Sequence, residues 1–97
     1  MFDKMKQLME MKKQADQIKR DLDATHMEVS DVAGIKITIN GSQVFESIEI
    51  DEQKLNVLNK KKLEAEILKG INLAIKKSQE AAALKMKSLL PSGFPGF

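Results

Sequence analysis

The feature that most constrains the fold is a change in the spacing of apolar residues along the chain. Over residues 8–22 they recur every three or four positions, which predicts an amphipathic helix. Residues 34–51, GIKITINGSQVFESIEID, largely alternate apolar and polar side chains, which predicts strands. Helical spacing returns after residue 60. This order predicts helices packed on a small sheet rather than a helical bundle or a pure sheet.

The pattern predicts an α+β fold with a long N-terminal helix, a three-stranded antiparallel meander and a long C-terminal helix, in the order α-β-β-β-α. We expect a helix over about residues 2–24, strands over about 26–32, 34–40 and 43–50, a helix over about 60–90 and a tail at 91–97. Asp51 and Asn59 are the expected helix N-caps before the second helix, with a short helical turn around residues 55–58.

The turns of the meander are predicted from its glycines. Asn40-Gly41 predicts a type I′ hairpin turn, because both central residues of that turn need a positive φ. Gly34 is expected to serve the turn before the second strand in a similar way. The apolar face of the meander should contain Ile35, Ile37 and Ile39 from the second strand and Val44, Ile48 and Ile50 from the third.

The chain of 97 residues is expected to form a single domain, residues 1–97, with one modest core. The two predicted helices are too long to lie entirely over a small sheet. Apolar surface should therefore remain for a second copy, and we predict a homodimer. The stripe of the first helix that is expected to pack has a heptad-like spacing: Leu8, Met11, Ala15, Ile18 and Leu22.

Several classes of function lack the residues that they need. Cysteine is absent, which excludes thiolate chemistry and favours a cytoplasmic protein. His26 is the single histidine and has no nucleophile or base beside it, so we predict no catalytic site and no metal site. A glycine-rich phosphate loop is missing, and we expect neither a cofactor nor a small-molecule substrate. Charged residues interrupt every apolar run, so no membrane contact is predicted.

The formal net charge of +2 conceals an uneven distribution of charge along the chain. Residues 1–25 carry a net charge of +1, residues 26–52 carry −5 and residues 53–97 carry +6. An acidic middle and a basic C-terminal half indicate that one end of the molecule faces a polyanion.

The lysines of the second predicted helix favour one side of it. At about 100° per residue, four of them fall within about 40° of one another. They are Lys62, Lys69, Lys76 and Lys87, which we call the lysine row. The row lies nearly opposite the apolar stripe that contains Leu63, Ile71 and Ile75. Lys60 and Lys61 add charge at the helix start, and these six lysines are the predicted DNA-binding residues.

The side-chain inventory limits how such lysines can contact nucleic acid. Tryptophan and tyrosine are absent, which leaves little for stacking on single-stranded bases. Lysine suits phosphate as a point charge, whereas arginine, which reads base edges with paired hydrogen bonds, occurs once, as Arg20. We therefore predict contact with the backbone of double-stranded DNA, with low sequence specificity and an affinity that falls steeply with salt.

Three stretches resemble the YbaB/EbfC family of small bacterial nucleoid-associated proteins: MFDKMKQLMEMKKQADQIKRDL, VSDVAGIKITINGSQVFESIEID and LLPSGFPGF. The central signature appears as Ile37-Thr38-Ile39-Asn40-Gly41, followed by Ile48-Glu49-Ile50-Asp51. The resemblance covers the whole chain. It implies an α-β-β-β-α protomer, a homodimer with outward-reaching helices, and DNA binding with relaxed sequence preference in the cytoplasmic nucleoid.

A second interpretation stays open, in which the protein is a protein-interaction adaptor without direct DNA binding. A partner protein could use the heptad-like stripe of the first helix and two leucines outside the second helix's stripe, Leu73 and Leu84. The tail, with Phe94 and Phe97, could dock on an apolar groove or on a partner. The lysines would then serve only solubility.

Overall fold

In a computed structural model the chain folds into an N-terminal helix, a three-stranded sheet and a long C-terminal helix, and the structure describes residues 2–89. The elements are α1 (Phe2–Asp23), β1 (His26–Val29), β2 (Ile35–Asn40), β3 (Phe45–Ile50) and α2 (Lys60–Leu89). The predicted α-β-β-β-α order is confirmed. The expected docking of the tail phenylalanines lies outside the described residues.

The first strand is shorter than predicted. β1 ends at Val29, and in the turn that follows the N–H of Ile35 donates to the C=O of Val32 at 3.1 Å. Gly34 takes a φ of +82°, as the pattern predicted for this turn. A side chain there would be strained, and its Cβ would lie 2.7 Å from Cε of Lys54. The residues between Val29 and Gly34 therefore turn rather than pair.

The sheet has the order β1-β2-β3, and both pairings are antiparallel. Facing pairs such as Val29 with Ile37 place apolar side chains on the face that α2 covers. Within residues 2–89 the fully buried apolar side chains are Val29, Ile35, Ile37, Ile39 and Ala74. The core is therefore the interface between α2 and the first two strands.

A β-bulge in β3 changes which side chains join the apolar face. Glu46 is left as the extra residue, and Ile39 faces Phe45. If side chains alternated strictly between the two faces along β3, Val44 would lie on the same apolar face as Ile48. This expectation is wrong. The extra residue shifts the alternation by one position, so Phe45 lies on that face instead.

The loop between β2 and β3 differs from the predicted type I′ turn. Asn40 is the last residue of β2, and the positive φ falls on Gln43, at 64°, rather than on Asn40 and Gly41. The Asn40 side chain closes the loop, since its Oδ1 accepts from the N–H of Ser42 at 3.0 Å and from the N–H of Val44 at 2.9 Å. Asparagine side chains can replace backbone turn bonds in this way. The dipeptide therefore marks the hairpin but not its turn type.

Gly41 is required for a close approach between the hairpin and α1. Its N–H donates to the C=O of Leu22 at 3.0 Å and to that of Thr25 at 2.9 Å. A Cβ at this position would lie 3.0 Å from both the carbonyl oxygen and Cδ2 of Leu22. These contacts attach the C-terminal end of α1 to the sheet.

The predicted packing of the α1 stripe is found only at its C-terminal end. Ile18 and Leu22 are half-buried, whereas all side chains from Asp3 to Gln17 are exposed. Leu8 and Met11 are 65% and 64% exposed, so this part of the stripe does not pack within the protomer. The molecule extends over 67 × 22 × 16 Å. Only the last turns of α1 contact the domain, and the part of the helix before Ile18 projects away from it.

Short polar turns connect the sheet to α2. The side chain of Asp51 accepts from the N–H of Gln53 at 3.1 Å and caps a 3-10 turn at Glu52–Lys54, which confirms Asp51 as a cap. A second 3-10 turn, Val57–Asn59, leads directly into α2. Its cap is Asn56, three residues before the expected Asn59, and the Asn56 side chain accepts from the N–H of Leu58 at 3.0 Å.

Small residues bring α2 close to the sheet. Gly70 is buried, and a Cβ there would lie 3.0 Å from Cδ1 of Ile37, so this glycine allows α2 to approach β2 closely. Ser78 is fully buried, and its hydroxyl donates to the C=O of Asn40 at 2.7 Å. Together these contacts fix both the position of α2 and its rotation about its own axis.

Candidate nucleic-acid interface

The lysine row is oriented by the side of α2 that packs on the sheet. Ala74 and Ser78 are 0% exposed, and Gly70 lies on the same side of the helix. At about 100° per residue, the row lies roughly 160° around the helix from Ala74 and Ser78. The helix cannot turn the row toward the sheet without exposing this core. The lysines of the row therefore face away from the domain.

All six lysines that were predicted to bind DNA are exposed. They are Lys60, Lys61, Lys62, Lys69, Lys76 and Lys87. Within residues 2–89, the ammonium of Lys60 lies 3.9 Å from a carboxylate oxygen of Glu64, and the other five lysines have no carboxylate oxygen within 4.0 Å. An exposed pair of this length contributes little to stability. The charge of the row is thus available to an external anion.

The spacing of the row along the helix follows from the helical rise. Lys62, Lys69 and Lys76 recur every seven residues, which corresponds to about 10.5 Å at each step. Lys87 extends the row to about 37 Å from Lys62, slightly more than one turn of B-form DNA, which is about 34 Å. The row is straight and exposed, which suits the convex, regularly charged backbone of a duplex better than a compact ligand.

Two other lysines stabilise the tertiary structure instead. Lys77 donates to Asp31 at 2.9 Å, and Lys54 donates to Glu66 at 3.0 Å. The first bond joins α2 to the turn after β1, and the second joins it to the connection after β3. The partners are 46 and 12 residues apart, so no spacing rule in the sequence could have identified them.

The outer face of the sheet has the opposite charge. The ammonium of Lys36 lies 2.8 Å from Glu28 and 3.4 Å from Glu49. Glu49 faces Lys36 on β3, and Glu28 is a diagonal neighbour on β1, where it faces Thr38. Hydrogen bonds to Glu28 first and to Glu49 second raise the pKa of Lys36 above its ordinary value of 10.5. One cation between two carboxylates leaves this face negative. The protomer therefore carries its acidic surface on the sheet and its basic surface on the outside of α2.

His26 is an exposed residue at the start of β1. Its Nδ1 lies 2.5 Å from a carboxylate oxygen of Glu46, the extra residue of the bulge. The part of the chain that the structure describes contains no group of three or more His, Cys, Asp or Glu side chains placed to hold a metal ion. The pair is best described as a cross-strand contact.

An apolar cleft of about 330 Å³ lies between β3 and α2. Its lining includes Phe45, Ile48 and Ile71, and the two β3 side chains remain 44% and 48% exposed. A helix is about 10 Å wide and strands lie about 4.8 Å apart, so one helix covers two strands and leaves the third open. The sequence indicated an apolar β3 but could not show that it would stay uncovered.

Across residues 2–89 we find no helix that is both long enough and apolar enough to cross a membrane.

Comparisons with known proteins agree with this fold. The chain is similar to the crystal structure of the uncharacterized protein HP0035 from Helicobacter pylori, with a TM-score of 0.68 and 20% identity over 86% of this chain and 98% of that chain. No curated protein matches the chain. At 20% identity the likeness shows the fold alone. The YbaB/EbfC DNA-binding family, in contrast, matches residues 1–94, and the chain belongs to that family.

Proposed function

We propose that this protein is a homodimer that binds double-stranded DNA with low sequence specificity, through contacts between the lysine row and the phosphate backbone. Membership of a DNA-binding family supports DNA as the ligand. The rest of the proposal depends on the outer side of α2. The lysines of the row are exposed there, opposite the packed side, and within residues 2–89 no carboxylate oxygen lies within 4.0 Å of their ammonium groups. The cytoplasmic nucleoid is the proposed location.

The chemistry of the basic side chains supports phosphate contact over base recognition. Lysine binds phosphate as a flexible point charge, and each neutralised phosphate releases bound counterions. Reading bases in the major groove relies mainly on side chains that form paired hydrogen bonds, above all arginine. The single arginine, Arg20, lies on α1 and not in the row. Low sequence specificity follows from this composition.

The amount of exposed surface supports a second copy. The accessible surface is 7801 Å², whereas a compact monomer of 10.9 kDa exposes about 5,600 Å². The radius of gyration of 18.8 Å likewise exceeds the roughly 12–13 Å of a compact chain of this length. The excess of about 2,200 Å² exceeds the roughly 800 Å² that each partner buries in a standard protein interface. The protomer therefore has ample surface for a dimer.

The open cleft beside β3 is the proposed dimer surface. β3 is an edge strand, so its outward N–H and C=O groups can pair with a second strand. Phe45 and Ile48 supply exposed apolar area beside that edge. A dimer also doubles the number of lysine rows, which matters because phosphate contacts add to the binding free energy.

The dimer surface can be tested with Phe45→Ser combined with Ile48→Ser. We expect sedimentation to show a shift toward the monomer mass, whereas Leu84→Ser, at a side chain that is 69% exposed on α2, should leave the mass unchanged. Retention of the dimer by the β3 variant, with unchanged circular dichroism, would assign the dimer to another surface.

DNA binding can be tested by titrating the protein into duplexes of unrelated sequence at increasing salt. We expect binding to all of them, with a linear fall of log K against log salt. Lys62→Glu, Lys69→Glu and Lys76→Glu together should abolish binding and leave the mass in solution unchanged. No binding by the wild type near 50 mM salt would refute the function, and binding by the triple variant would refute the site.

A specific observation favours the adaptor as a second candidate. Met5, Leu8, Met9 and Met11 of α1 are 63–65% exposed and make an apolar surface on a helix that projects from the domain. Exposed apolar surface of this kind often marks a protein interface, and methionine adapts to varied partners. Absence of duplex binding, together with capture of a partner that Leu8→Gln abolishes, would favour this function.

A further inference from the structure

Glu80 lies within the lysine row, in the interval between Lys76 and Lys87. At about 100° per residue its position around α2 coincides with that of Lys62. It is four residues beyond Lys76, or about 6 Å along the axis, and seven residues before Lys87, or about 10.5 Å. Glu80 is exposed, so its carboxylate faces whatever the row faces.

The Glu80 carboxylate is not neutralised by its neighbours. Within residues 2–89 no cationic nitrogen lies within 4.0 Å of it. Lys77, three residues before it, is bonded to Asp31 at 2.9 Å. Lys76 precedes Glu80 by four positions, and this order of charges is the less favourable one for a pair on a helix. The row is thus interrupted by a negative charge rather than by an internal ion pair.

From this geometry we propose that Glu80 attenuates DNA binding and divides the row into a strong N-terminal part and a weak C-terminal part. Electrostatic interactions are screened over about 8 Å at physiological salt. Glu80 therefore opposes phosphate contacts most strongly at Lys76, about 6 Å away, and more weakly at Lys87, about 10.5 Å away, while its effect at Lys69, about 16 Å away, is largely screened. The inference rests on the proposed function. It states that Glu80 limits the length of α2 over which the lysines hold the duplex.

If Glu80 attenuates DNA binding, replacing it by a neutral residue should raise the affinity for duplex DNA. Glu80→Gln should raise duplex affinity roughly three- to tenfold for a dimer near 0.1 M salt, since each copy loses one screened repulsion. The matched control is Glu10→Gln, which changes the net charge equally but lies at an exposed position on α1, outside the row. The control should change affinity less than twofold.

The weakened contribution of Lys87 supplies a second measurement. Lys87→Gln should reduce duplex affinity slightly in the wild type, where Glu80 weakens the contact between Lys87 and phosphate. In the Glu80→Gln background that contact is stronger, so its loss should reduce affinity more. A steeper salt dependence should accompany the gain in Glu80→Gln. Mass and thermal unfolding of each variant would be measured first, and all are expected to match the wild type at these exposed positions.

Four outcomes can be distinguished. A gain confined to Glu80→Gln supports the attenuator. Equal gains in Glu80→Gln and Glu10→Gln would overturn it, because net charge alone would then explain the effect. If the wild type binds DNA and Glu80→Gln binds no more tightly, the proposal is also overturned. No duplex binding by any of these proteins would refute the proposed function, and the attenuator with it.

Discussion

α1 and α2 are both long helices that carry several lysines, but the sheet holds only α2 in a fixed orientation. Buried residues recur along the middle of α2, from Gly70 to Ser78, and they fix which side faces outward. In α1, every side chain from Asp3 to Gln17 is exposed, and contact with the domain begins only at Ile18. The same class of sequence pattern thus gives an anchored helix in one case and a projecting helix in the other.

The net charge also distinguishes the two helical regions, and the region that contains α2 is the more positive one. Over residues 1–25 cations and acids nearly balance at +1, whereas residues 53–97 carry +6. A lysine-rich helix becomes a directional cationic surface only when packing fixes its rotation and when acids are scarce on its outer side. α2 meets both conditions over most of its length, and α1 meets neither.

The largest expected difference between the helices concerns stability. Ile37 is 1% exposed beneath α2, and Ile37→Ala should lower the free energy of unfolding by about 2–5 kcal/mol through lost burial and a cavity. Leu8→Ala in α1 should change it by less than about 0.5 kcal/mol. Urea unfolding at fixed protein concentration measures both. A large loss for Leu8→Ala would instead reveal a contact of α1 with another chain.

The next comparison concerns DNA affinity. Lys62→Gln, Lys69→Gln and Lys76→Gln together should weaken duplex binding by roughly ten- to a hundredfold, because phosphate contacts are lost. The matched triple Lys4→Gln, Lys6→Gln and Lys13→Gln in α1 removes the same charge and should weaken it less than about threefold. Fluorescence anisotropy at fixed salt measures both. Equal losses would mean that α1 shares the contact with DNA.

A smaller effect is expected from the hydrogen bond that fixes the rotation of α2. Ser78→Ala removes the donor to the buried C=O of Asn40 and should cost about 1–2 kcal/mol of stability. Ser88→Ala removes a similar bond, to the C=O of Lys85 at 2.8 Å, at an exposed site and should cost less than about 0.5 kcal/mol. Equal effects in thermal unfolding would show that burial of Ser78 does not matter.

The smallest expected effect is a pH dependence on the acidic face of the sheet. The pKa of Lys36 is raised in the folded protein by Glu28 and Glu49, so its stabilising effect is complete below pH 10.5 and is lost as the pH rises through the folded value. The difference in unfolding midpoint between wild type and Lys36→Gln should therefore shrink above that pH. A difference that stays constant from pH 8 to pH 12 would contradict the assignment.

Local patterns predicted the order of the elements well because spacing of apolar residues depends on the backbone alone. The turn at Gly34 and the cap at Asp51 were also predicted, since each depends on residues next to it in the sequence. The predictions failed where a distant residue decides the structure. Gly41 is required by the approach of Leu22 rather than by a positive φ, and the bulge at Glu46 replaced Val44 by Phe45 on the apolar face.

Local apolar spacing is enough to predict two long helices around a small sheet, with lysines gathered on one side of the second helix. Both features follow from the periods of helix and strand, which any short stretch of chain expresses. Packing between distant segments was needed to show that α1 projects, that Lys77 and Lys54 pair with acids, and that β3 stays uncovered. The physical reason is that burial and ion pairing depend on residues brought together from far apart in the chain, and one helix can cover only two strands.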